Sequence, residues 1–148
     1  MPSILHKASG AIALATIALF WCSTVLSELV LDATAITAVK TAIPYGFILL
    51  VPALALTGAS GLRLARGRRG GVISAKLRRM PIIAANGLLV LMPAAFFLAS
   101  KAQAGSFDAA SYTVQAIELV AGAVNLALLS LNMRDGLRMT ARRRRHPA

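Results

Sequence analysis

Glu118 is the residue whose type and setting most call for chemistry, being the single acid inside the apolar run 109–133. It belongs to the series Ser111, Gln115, Glu118, Gly122, Asn125, Leu129 and Asn132, spaced alternately by four and three residues. That alternation marks one side of a helix. Six of the seven are polar or glycine, and the rest of the run is chiefly Val, Ile, Leu and Ala. Hydrocarbon cannot hydrogen-bond polar groups, so such a stripe is expected to face other helices.

A carboxylate at mid-helix opposes membrane insertion by roughly 2.5–3.5 kcal/mol. The nine Val, Ile and Leu residues of the run return about 3–5 kcal/mol. The segment is therefore marginal alone and must lean on its neighbours. At about 1.5 Å per residue, Glu118 lies about 4–5 Å outward of the bilayer centre. No cation is expected at that depth, which predicts a neutral Glu118 held by hydrogen bonds. Gln115 one turn away is one partner. The carbonyls of Ile48 and Leu89, whose helical donors are replaced by Pro52 and Pro93, are others. Proton or cation handling is the functional alternative for an intramembrane acid. Asn86 and Asn125 fall together about 6 Å on the other side of the centre and are expected to pair.

The elements that would carry these residues follow from composition. Of 148 residues 57% are apolar and 14% charged, whereas an ordinary soluble domain has about 45–50% and about 25%. A chain this short cannot hide that excess inside a globule. Four runs reach the ~20 residues that a bilayer core requires: 8–27, 41–62, 80–100 and 109–133. The expected fold is all-α, a single transmembrane domain of four antiparallel helices in up-down order. The six-residue stripe from Ser9 to Ser27 (Ser9, Ala13, Thr16, Phe20, Ser23, Ser27) and the small series Ala53, Thr57, Gly61 offer span four matching surfaces.

The net charge of +11 is gathered between the spans. One cation precedes span one, seven lie in the loop 63–79 and six in the tail 134–148, leaving Lys40 and Lys101 for the other side. Cation excess marks the cytoplasmic face, so both termini are expected inside. Tyr45 and Tyr112 fall near the outer ends of their spans, as interfacial rings do. The guess for location is a bacterial inner membrane. Signal cleavage after Ala35 is the rival for span one, but the apolar stretch of twenty residues exceeds the roughly 7–15 of a signal peptide. Ile73, Leu77 and Met80 share helical spacing, suggesting a short interfacial helix leading into span three.

No Ser/His/Asp set, zinc-protease motif or phosphate loop occurs, so a non-catalytic role is expected and no cofactor is implied. Cys22 is the single cysteine and His6 and His146 the only histidines. A haem held by His6 with Met80 or Met133 is a remote alternative. Arg66, Arg68, Arg69, Arg78, Arg79 and Arg142, Arg143, Arg144, Arg145 are candidate contacts for anionic lipid, at about 1 kcal/mol each. Beside membrane spans they suit nucleic acid poorly. The leading expectation is a bundle subunit or accessory protein, packed on itself or on a membrane partner through the seams of spans one and four. The alternative is a small proton-coupled carrier using Glu118. Its size resembles the small multidrug transporters, whose essential Glu lies in the first span, where this chain has none inside.

Overall fold

The computed structural model describes residues 2–66 and 71–145, with side chains described for 4–66 and 71–139. Its helices are α1 (Pro2–Val30), α2 (Ala33–Ala65), α3 (Gly71–Asn86), α4 (Met92–Gln103) and α5 (Ala109–Arg145). A wide π turn, Gly87–Leu91, joins α3 to α4 and makes one continuous span of them. Among the described residues, four helical segments are long and apolar enough to cross a membrane: Ile4–Val30, Ala33–Ala65, Gly71–Gln103 and Ala109–Met139.

Each helix runs past the boundaries that charge alone suggests. Asp32 caps α2 by accepting a hydrogen bond from the Ala35 amide at 2.9 Å, so α2 begins eight residues before Thr41. An N-cap carboxylate satisfies one of the orphan amides of the first turn, and here it places Lys40 two turns inside the helix. The basic loop correspondingly shrinks, because α2 continues to Ala65 and α3 starts at Gly71. In place of a separate interfacial helix, residues 71–79 are the first turns of span three. The basic tail likewise continues α5 as far as Arg145.

The turn between α4 and α5 is closed by its own chemistry. Gly105 has φ +64°, the left-handed conformation that favours glycine. It lets the Ser106 amide reach the Lys101 carbonyl at 2.9 Å and the Gly105 amide reach Ala102 at 3.0 Å. Those two bonds satisfy carbonyls that the helix end would leave bare. Asp108 then caps α5, accepting from the Ser111 amide at 2.9 Å.

Burial is inverted relative to a water-soluble protein. Asn125 and Ser27 are the largest side chains sealed completely, whereas Ile48 and Leu89 are 77% and 74% exposed. Apolar side chains on the outside are stable only against lipid, and polar ones inside bond to one another. The seam residues of α1 and α5 are all buried or half-buried. A small apolar core of Ala13, Ile17, Leu50, Ala53, Ile83 and Leu129 fills the contact between helices. Phe47 meets Phe20 edge-on at 6.2 Å and Phe96 at 6.0 Å between ring centres. Gly46 gives the Phe20 ring its place, since a side chain there would overlap it.

The helices close in a ring. α1 packs along α2 and against α5, α5 packs against α3 and α4, and α2 lies on α4 while touching α3 at only a few points. That unevenness leaves the bundle loosest between α2 and α3.

Candidate functional site

Lys40 is 3% exposed and reaches into the bundle rather than out of it. Its Nζ donates to Gln115 Oε1, lies 3.2 Å from Glu118 Oε2 and 3.7 Å from Glu28 Oε1. Gln115 Nε2 is also 3.5 Å from Glu118 Oε2. Three helices thus deliver one cation, two carboxylates and an amide to a single point. An ionised carboxylate inside a low-dielectric bundle is tolerated when it is paired and hydrogen-bonded, and this arrangement supplies both conditions.

The absence of a cation at the depth of Glu118 is therefore corrected. Measured along the main chain from the midpoints of the observed spans, Lys40 lies about 13 Å from Leu49 and Glu118 about 9 Å from Val124, toward the same end of the bundle. Two long side chains extending toward each other remove that difference. The carbonyls of Ile48 and Leu89 are not the partners of Glu118; Lys40 and Gln115 are. The sequence signal was available in Asp32, whose cap fixes the start of α2 and so puts Lys40 among the inward positions Lys40, Ile43 and Leu50.

Below this cluster lies a cavity of about 240 Å³. Its wall is almost wholly apolar, with Phe20, Phe47, Leu50 and Leu119 among its residues, and it is polar only at Thr24, Glu118, Asn125 and the edge of Trp21. Trp21 spans from α1 to α5, donating from Nε1 to the Leu119 carbonyl at 2.9 Å. Its ring packs where a side chain on Gly122 would begin, with Cδ1 2.8 Å from that position. On the other side of the cluster a pocket of about 20 Å³ is lined by Glu28, Lys40, Lys101, Tyr112 and Gln115. Glu118 faces the larger space and Lys40, Gln115 and Glu28 the smaller one, so the ion cluster is the partition between them.

Asn86 and Asn125 meet. Asn86 Nδ2 donates to Asn125 Oδ1 at 2.9 Å and to the Ala121 carbonyl at 2.8 Å. Asn125 lines the cavity together with Gly87, the first residue of the π turn. The turn sits where Pro93 cannot donate and its ring would crowd the Leu89 carbonyl, and the Met92 amide bonds back to Gly87 instead.

Toward the far end of the bundle, Ser9 accepts from Thr57 at 2.9 Å. His6 Nδ1 lies 3.1 Å from both the Thr57 carbonyl and Ser60 Oγ. A carbonyl only accepts, so Nδ1 is the donor to Thr57. His6 and Met80 both lie against Gly61, at 3.2 and 3.4 Å from the position of an added side chain.

The candidate lipid contacts divide. Arg66 and Arg78 are exposed. Arg79 is not free for lipid: it is bonded to Asp135 at 2.8 Å and to Asn132 at 3.4 Å, tying α3 to α5. Arg68 and Arg69 lie outside the described residues, and so do the side chains of Arg142, Arg143, Arg144 and Arg145. At the α4–α5 turn Lys101 bonds Asp108 at 2.6 Å. Lys101 first, then the Ser111 amide, hold the Asp108 carboxyl well below the usual carboxylate range.

Comparison with protein-family models, curated proteins and solved structures finds no match to this chain.

Proposed function

We propose that the chain is a non-catalytic, proton-coupled carrier of the inner membrane, four antiparallel spans with both termini in the cytoplasm, in which Glu118 holds the coupling proton. The topology is supported by the order of contacts between α1 and α2, where His6 meets Ser60, Phe20 meets Gly46 and Glu28 meets Lys40. The crowding of Arg and Lys at the end that holds 63–79 and 134–148 supports the orientation.

One observation carries the functional reading: the Lys40–Gln115–Glu118 cluster divides an interior cavity from an outer pocket. Packing alone does not require it, since small and hydroxylated residues join helices without the desolvation that charges cost. Docking to a membrane partner through the seams of α1 and α5 is less favoured, because those residues are already covered within the chain. A carrier needs an intramembrane group that changes charge and a space reached from one side at a time. Glu118 is an acid in such a position, and the cluster separates the cavity from the second pocket.

The test is proton entry into liposomes holding the purified chain, an internal pH dye and a trapped mixture of small organic cations, driven by an acidic external buffer. Faster acidification than in protein-free liposomes is expected, falling to the protein-free rate in Glu118→Gln. Equal rates for the wild type and Glu118→Gln, or a wild type no faster than empty liposomes, would overturn the reading.

A further inference from the structure

The cluster holds one more acid than base. Glu28 on α1 and Glu118 on α5 both face Lys40 of α2, while Lys101 from α4, the other cation lining the outer pocket, is neutralised by Asp108. With both carboxylates ionised, the site carries one uncompensated negative charge. In a low-dielectric interior that charge draws in one further cation. A proton is the smallest candidate. The second is set by the space that Glu118 faces, which is apolar on nearly every wall.

We infer that the central cavity binds a small apolar molecule bearing a single ammonium group, which takes the place of a proton at Glu118. The inference rests on the carrier reading and names its substrate class. The apolar body fits among Phe20, Phe47, Leu50 and Leu119, and the ammonium faces Glu118 near Trp21, whose ring favours a cation at its face. Lys40 need not be left unpaired when Glu118 turns to the ligand, because Glu28 stands 3.7 Å from its Nζ. The mouth of the cavity lies between α2 and α3, where the lining residues Val51, Ala55, Ala84 and Leu88 are exposed. A lipid-soluble amine therefore reaches the site from the bilayer.

The experiment uses the purified full chain in nanodiscs and two compact cage molecules differing in one group, 1-adamantylammonium and 1-adamantanol. Binding is followed by calorimetry and by the fluorescence of Trp21, the single tryptophan. The ammonium compound is expected to bind at least about tenfold more tightly than the alcohol, a difference of about 1.4 kcal/mol. It should release a proton wherever Glu118 is protonated before binding, so its affinity should rise with pH there, by up to about tenfold per pH unit. Glu118→Gln should abolish both the preference and the pH dependence. Ala55→Trp, which fills the mouth and leaves every charge in place, should weaken both molecules.

Equal affinity for the two molecules, affinity that ignores pH, no binding, or unchanged binding by Ala55→Trp would each overturn the inference. The carrier reading fails separately. Proton entry that depends on Glu118 without amine binding removes the substrate class alone. Amine binding in a chain that moves no protons removes the carrier and keeps the site.

Discussion

Asn86 on α3 and Asn125 on α5 share a hydrogen bond of 2.9 Å in the middle of the bundle, and Asn125 is 1% exposed. The amide of Asn86 also holds the Ala121 carbonyl. The pair fastens span three to α5 one residue before the helix widens.

Replacing either asparagine by leucine should therefore destabilise the bundle. Interhelical hydrogen bonds in membranes average about 0.6 kcal/mol and reach about 1.7 kcal/mol. A double-mutant cycle on Asn86→Leu and Asn125→Leu, followed by unfolding in mixed detergent, should give a coupling energy within about that range. Additive single effects would show that the two amides act independently.

Lys40 and Glu118 should display a sharper asymmetry. Removing one partner of a buried ion pair leaves the other uncompensated, typically costing about 3–5 kcal/mol, whereas replacing both is far milder. Lys40→Met is expected to be the most destabilising change in the cluster, because it strands Glu118 and Glu28 together. Adding Glu118→Gln to Lys40→Met should restore much of the loss. A double variant less stable than Lys40→Met would contradict this arrangement.

Asp108 predicts the behaviour of the α4–α5 turn in acid. Its carboxyl titrates below the usual range in the folded chain because Lys101 and the Ser111 amide favour the ionised form. A depressed value contributes stability that is complete above the unfolded aspartate value and disappears as pH falls through the folded one. Carbon-detected NMR of Asp108 should show a charged carboxylate well into acid, with the α4–α5 turn loosening only after it protonates. In Lys101→Met the titration should move upward. An Asp108 that titrates as in an unfolded peptide would refute the cap.

Much of this arrangement was legible in the residues. The alternation from Ser111 to Asn132 pointed inward, and the structure covers that side of α5 within the chain. Asn86 and Asn125 fell at a common depth because helical rise is regular. Lys40 escaped because a charge at the edge of an apolar run reads as the end of a span, and main-chain depth ignores the reach of a long side chain. The cavity was equally hidden. It arises where α2 leans on α4 and stands off α3, a consequence of three-dimensional packing that no linear pattern records. Arg79 looked like one more surface cation because its partner Asp135 lies 56 positions away in the chain.

The wide turn at Gly87–Leu91 has an angular consequence. Twelve residues separate Asn86 from Leu98, and at about 100° each an unbroken helix would set them about 120° apart around its axis. Accommodating one surplus residue in the turn brings that difference down to about 20°. Both side chains then point to the same side, Asn86 toward Asn125 and Leu98 into the interior at 4% exposure. Span three is thus two half-cylinders phased by a single inserted residue: deleting one residue there would straighten the rod and keep Asn86 on the side of Leu98, whereas straightening it at full length would swing the asparagine out to the acyl chains.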